Sequence, residues 1–224
     1  EASISLPWVK KYVYQSSFLN TVVTKKKVTV IIPYNIDRGF LKDAVASVPD
    51  SVQLILSQGE GNWPQNFNKA LKQAEGVFIK YLHEDDMLTP NCIDDSVKVL
   101  EETGADFIHG NAMEHQQSSG KDNFWTPPVI YPTLQQLLKH NTIHSATTMY
   151  RRSVFEKVGM FNESEQVHAF EEYEFNIRCL QQGLKIGYVP RTLAIYRRHK
   201  DQLIKKASRI RRISNRKAVI QKYQ

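Results

Sequence analysis

The densest chemistry in the chain lies in seven residues, Lys80-Tyr81-Leu82-His83-Glu84-Asp85-Asp86. The apolar run Val77-Phe78-Ile79 leads into them and reads as a buried strand, and three carboxylates and an imidazole then follow at once. Open α/β sheets bind ligands just past the carboxyl ends of their strands. Carboxylates crowded there repel one another unless a cation or solvent neutralises them. The pattern suits a metal–diphosphate site in which Asp85 and Asp86 give oxygen ligands to Mg2+ or Mn2+, ions that take one or two carboxylates plus phosphates and water. The same acids would also suit a ligand-free helix start, where they complement the helix dipole.

Such a cluster must be held by a sheet, and the patterning predicts one. Val28-Thr29-Val30-Ile31-Ile32 is a β-branched run stopped by Pro33, as in a central parallel strand. A helix follows over 39–48, with Phe40, Leu41, Ala44, Val45 and Val48 on one face. Further strands are expected at 52–56, 77–82, 106–110, 146–150, 186–190 and 193–196. Helices are expected at 66–74 (stopped by Gly76), from Thr89-Pro90 as cap and first residue to about Gly104, and at 133–140, 152–158 and 170–182. Residues 114–128 read as a long polar loop and the tail from Gln202 as a basic helix. Strands alternate with helices through the first half, which argues for a parallel sheet covered on both faces; the second half is more mixed.

Composition bounds the rest. The 224 residues suffice for one domain with a good core, and no apolar run approaches a membrane span. Cys92 and Cys179 fit no metal or redox spacing and read as two thiols in a reducing compartment. The expected location is cytoplasmic, with the membrane surface as an option. The net charge of +7 is unevenly spread: residues 197–224 hold eleven Lys/Arg and one Asp, a local +10, so the remainder carries −3. The apolar side chains Ile204, Ala207, Ile210 and Ile213 make packing the default role of that tail, with an anionic membrane second and nonspecific nucleic acid third. A mildly acidic body does not suit a specific nucleic-acid surface.

Four blocks, in order over 28–199, resemble the GT-A glycosyltransferases of the inverting family 2, which use nucleotide-diphospho-sugars. They are Val28 to Asn35; Asn68 with Gly76 and Val77 to Asp86; Phe155 to Glu163 followed by Phe170 to Glu174, Arg178 and Gly183; and Tyr196-Arg197-Arg198-His199. The resemblance implies an α/β fold of GT-A (Rossmann-like) type, a three-layer sandwich about a central, mostly parallel mixed sheet. It divides the chain into an N-terminal arm (1–27), a glycosyltransferase domain (28–200) and a basic C-terminal helix (201–224). It further implies a donor, by family habit a UDP-sugar, contacted by Pro33, Tyr34, Asn35, Asp37, Gln58, Asn68, His83 and Asp85. A Mn2+ or Mg2+ ion would be held by Asp85, Asp86 and His199. Glu172 would be the general base, with Glu171 as its substitute, in transfer to a glycan, lipid-linked or protein acceptor.

The chain departs from the family pattern in four places, the first being an opening loop Pro33-Tyr34-Asn35-Ile36-Asp37 where Pro-Thr-Tyr-Asn is usual. His83 stands where an aspartate is usual, Ser57-Gln58-Gly59-Glu60 replaces a base-touching aspartate pair, and Glu171-Glu172 replaces Glu-Asp. His83 reads equally as a donor contact and as a neutral strand-end residue. Glu171, Glu172 and Glu174 also suit a helix first turn. Trp63, Trp125 and Tyr131 are possible ring platforms, and His144 and Ser145 possible acceptor contacts, though packing explains each of them as well. Two other functions fit a sheet of this kind. A two-metal nucleotidyltransferase would need a Gly/Arg-rich phosphate loop after the first strand, where only Gly39 is present. A non-enzymatic nucleotide- or membrane-binding module would rely on the basic tail.

Overall fold

The computed structural model describes residues 26–202, 205 and 208–224. The expected N-terminal arm therefore lies almost wholly outside the described residues, as do Ile204 and Ala207.

One eight-stranded sheet carries the molecule. Its strands are β1 Val28–Tyr34, β2 Gln53–Gln58, β3 Phe78–Tyr81, β4 Met87–Leu88, β5 Phe107–Gln116, β6 Lys121–Trp125, β7 Met149–Arg151 and β8 Ile186–Arg198. They lie in the order β2-β1-β3-β7-β5-β8-β4, with β6 pairing outside β5. β2, β1 and β3 pair in parallel, as do β5 and β8; β7, β4 and β6 run antiparallel to their neighbours.

Alternation along β1 and β3 divides the core between two faces. Ile31, Ile79 and Tyr81 pack with helices α2 Trp63–Leu71, α5 Arg152–Val158 and α6 Glu171–Gln181. Val30, Ile32 and Phe78 pack with α1 Leu41–Ala46 and α3 Cys92–Thr103. Helix α4 Leu134–Lys139 adds Leu137 to the first face, and α7 Arg209–Tyr223 adds Val219. The result is the three-layer α/β sandwich expected. Among the described residues no helix is long and apolar enough to cross a membrane. Cys92 and Cys179 are both buried and unbridged.

Several boundaries differ from the sequence expectation, each for a local reason. α2 begins three residues early because Asn62 and Gln65 form a reciprocal capping box. Gly76 does not stop that helix; a Cβ there would lie 2.5 Å from the Thr29 backbone nitrogen, so glycine lets the chain pass close beneath β1. Thr89 caps nothing. Its hydroxyl donates to the Thr192 carbonyl (2.6 Å), and α3 starts at Cys92. The stretch 114–128 is no loop, since β5 runs on to Gln116 and turns back as β6. Its polar composition reflects an exposed hairpin edge (β6 is exposed until Trp125) rather than irregular backbone. The two short strands expected at 186–196 are one strand, β8. It continues past Pro190 because a register shift against β5 near Gly110–Ala112 leaves the proline outside the ladder.

Candidate active site

The carboxyl ends of β1 and β3 open into a cleft of about 370 Å3. β3 ends at Tyr81, and His83 to Asp86 form a tight turn closed by a hydrogen bond from the Asp86 N–H to the His83 carbonyl (3.1 Å). The next two residues are β4, which pairs with β8 and so draws the turn against Tyr196 to His199.

Asp85 and Asp86 then diverge. Asp85 lines the cleft and its Oδ2 lies 2.9 Å from His199 Nε2, a contact between residues 114 apart in sequence. Burial raises the Asp85 pKa, but the His199 hydrogen bond and the His83 charge outweigh it and hold the carboxyl below its usual range. Asp86 is 1% exposed and absent from the cleft wall. Its Oδ1 accepts the Arg197 N–H (3.0 Å), while burial and the Asp85 charge push its pKa well up. Asp86 is thus a buried member of the turn, set apart from Asp85 and His199.

Arg197 locks this arrangement. The side chain is 2% exposed and donates to the Asp85 carbonyl (3.0 Å), to Gln117 Oε1 (3.0 Å) and to Asp43 Oδ2 (2.9 Å). Its guanidinium also lies over Phe40, whose ring packs at 4.7 Å on His199. One buried arginine therefore ties the acidic turn to α1, β5 and the histidine.

Opposite stands a second acid–imidazole pair. Glu172, at the start of α6, has Oε1 2.9 Å from His83 Nε2. The His83 ring meets Trp63 at 5.1 Å and Tyr81 at 5.5 Å, both edge to face. Burial alone would lower the His83 pKa; the Glu172 hydrogen bond and charge, with Asp86 and Asp85, reverse this and raise it to about 10. Glu171 is 2% exposed, 3.6 Å from His168 Nδ1, and burial followed by the Glu172 charge pushes it up to about 8. Glu171 thus holds its proton more tightly than a free carboxyl does. Before this pair, Ala169 holds φ at 71°, the left-handed region rare for a residue with a Cβ.

Of the donor contacts expected from sequence, Pro33, Tyr34, Asn35, His83 and Asp85 line this cleft, as do Glu171, Glu172 and His199. Asp37, Gln58, Asn68 and Asp86 are not part of its wall. Asp37 Oδ1 accepts the Gly39 N–H (2.7 Å) and so shapes the entry to α1. Gln58 is exposed on β2, near the Tyr34 hydroxyl (3.5 Å). Asn68 is buried and exchanges hydrogen bonds with Phe161, also donating to Glu163 (2.8 Å), so it clamps the loop after α5.

Trp63 and Ser145 also line the cleft, whereas Trp125 packs on His144 (5.2 Å) and Tyr131 is exposed. The sequence reading missed Arg38, which pairs with Glu84, and also His168, Tyr196 and Gln202 on the cleft wall. Only Tyr196 stood in a motif; the other three carry no sequence signal that a pattern search could use.

Among the described residues no group of three or more His, Cys, Asp or Glu could hold a metal. Asp85 and His199 nevertheless fit a cation that takes its other ligands from phosphate oxygens and water, as Mg2+ and Mn2+ do, and an imidazole in the set suits Mn2+. His199 is 6% exposed, its buried Nδ1 has no hydrogen-bond partner among the described residues, and its Nε2 is the nitrogen turned to Asp85.

Comparison with known proteins supplies the family. The chain is 26% identical over 141 residues to an uncharacterised glycosyltransferase, YwdF, of Bacillus subtilis (strain 168), covering 58% of this chain and 48% of that protein. Its fold is similar to S. aureus TarS 1–349 solved in complex with UDP-GlcNAc, with a TM-score of 0.63 at 17% identity over 81% of this chain and 61% of that one. A further TarS structure gives 0.60 at 17% identity over 78% of this chain and 37% of that one. The chain thus spans about half the length of its curated relative. The family model described as glycosyl transferase family 2 matches residues 29–159, a span that holds the acidic turn but stops short of Glu172 and His199. Matched over more than half its length, the chain belongs to glycosyl transferase family 2.

Proposed function

We propose that this chain transfers a sugar from a nucleotide-diphospho-sugar, of which a UDP-sugar is the first candidate, to an acceptor hydroxyl with inversion. The observation that carries the reading is the joining in one cleft of Asp85 and His199 on one side and Glu172 and His83 on the other. The TarS complexes with UDP-GlcNAc and with UDP support the choice of donor class.

Asp85 and His199 would hold Mn2+ or Mg2+, whose chemistry there is to neutralise the diphosphate as it leaves. Pro33, Tyr34 and Asn35, at the end of β1, would bound the nucleoside. Glu172 would accept the proton of the acceptor hydroxyl as its oxygen attacks the anomeric carbon, and the bond to the diphosphate would break on the opposite face. Glu171 is the less available base because burial and the Glu172 charge favour its protonated form. The acceptor is a glycan, lipid-linked or protein hydroxyl.

Calorimetry of UDP-sugars with and without Mn2+ tests this. Asp85→Asn should abolish metal-dependent binding. Absence of binding by every nucleotide sugar in the presence of Mn2+ would sink the proposal, and release of pyrophosphate instead of nucleoside diphosphate would turn it to nucleotidyl transfer.

A further inference from the structure

Helix α7 uses only one of its faces. Asn215 and Val219 are buried, and Asn215 Nδ2 donates to the carbonyls of Glu165 and His168 (3.1 Å each). Arg211 pairs with Glu165, Arg216 donates to the Lys139 carbonyl (2.7 Å), and Lys222 lies 3.6 Å from Glu174. The opposite side, at i, i+4 and i+8, is Arg209, Ile213 and Lys217, with Ile210 beside them. Ile210 is 82% exposed and Ile213 58%. Arg209 and Lys217 have no hydrogen-bond or ion-pair partner among the described residues, and 208–224 hold six Lys/Arg and no acid. Two exposed isoleucines flanked by Arg209 and Lys217, on a helix with six Lys/Arg and no acid and a body of charge −3, match a surface that is negative and also accepts apolar side chains.

We infer that the outward face of α7 docks on an anionic lipid bilayer. The basic side chains supply the attraction to acidic headgroups, and Ile210 and Ile213 enter the interface. A soluble polyanion would reward the charge but not the isoleucines. α7 grips Glu165 and His168, and His168 and Ala169 form part of the cleft wall, so docking would hold the bilayer on the side of the molecule where α7 packs against that wall. The inference stands apart from the nucleotide-sugar reading and would hold for any reaction in the cleft.

Flotation of the full chain with vesicles tests it, using phosphatidylglycerol and phosphatidylcholine at about one to two against phosphatidylcholine alone. The expected result is at least ~10-fold greater partition on the anionic vesicles, weakening with salt, and a loss of about 10-fold in the double variant Ile210→Ser, Ile213→Ser at unchanged helical circular dichroism. Equal partition on both vesicle types, or none, overturns it. So does a double variant that binds like the parent while soluble polyphosphate competes, which would make the face a polyanion site. UDP binding measured alongside reports on the cleft independently.

Discussion

Two carboxylate–imidazole pairs face the cleft at the same 2.9 Å separation, Asp85 with His199 and Glu172 with His83, yet their surroundings differ. The first is fixed from behind: Arg197 holds the Asp85 carbonyl and Phe40 packs on His199. The second rests on aromatic edges, and among the described residues His83 is the one side chain hydrogen-bonded to Glu172. A carboxylate set in a fixed frame suits a charge that must be held still. A carboxylate whose partner rests on aromatic edges can exchange it, as a group that moves a proton must.

The sharpest way to break this comparison is to swap the damage. Glu172→Gln is expected to lower kcat by ~10^3-fold, in the range of general-base losses, while UDP-sugar binding stays within about 3-fold. Asp85→Asn should do the reverse and lose Mn2+-dependent binding first. Equal loss of donor affinity in both variants would merge the two pairs into one binding unit. Next in size is the frame itself. Arg197→Ala leaves the Asp85 carbonyl and the Gln117 amide oxygen without their donor and should cost about 2–5 kcal/mol in chemical denaturation, about 1–3 for each acceptor left unpaired. Asp43→Ala removes a half-exposed partner and should cost about 1 kcal/mol or less.

A smaller effect distinguishes support from contact. Asn68→Ala should cost about 1–3 kcal/mol, because Phe161 and Glu163 lose buried hydrogen bonds, with donor affinity unchanged. A large rise in donor KM at unchanged stability would restore Asn68 to the binding site. The last test is pH. Glu171 titrates near 8 in the folded protein against an ordinary 4.5, so the native state binds more protons between those values and stability falls as pH rises through them. His83, near 10 against 6.5, acts in the same direction at higher pH. Lys80, which burial lowers from 10.5 to about 8, acts in the opposite direction above pH 8. Tm should therefore decline from pH 5 to 8, and Glu171→Gln should flatten that decline.

The legibility of the fold follows burial. β1 and β3 are buried on both faces, so apart from Thr29 and Lys80 their side chains are apolar and the strands stand out. The β5–β6 hairpin was misread because its edge faces solvent, where a strand carries the same polar residues as a loop. β8 was split at Pro190 because a proline that faces outward at a register shift looks, in one dimension, like a strand end. In the site, Asp85, Glu172 and His199 were legible as motif positions. Asp86, Asp37 and Asn68 carry equally suggestive side chains, but Asp86 and Asp37 bond backbone N–H groups and Asn68 bonds Phe161 and Glu163, none of them on the cleft wall.

The sequence by itself determined the class of the molecule: β-branched runs alternating with amphipathic helices, an acidic turn after a strand, and a basic tail on a mildly acidic body. Those are properties of composition and period, which act over a few residues. Tertiary structure decided which of two adjacent aspartates meets the cleft, that His83 meets Glu172 across 89 residues, and that Arg197 is buried as the tie between the acidic turn and α1. These outcomes depend on the direction in which each side chain leaves its turn and on what other segments bring to meet it. That is a matter of packing between segments far apart in the chain, which no local pattern encodes.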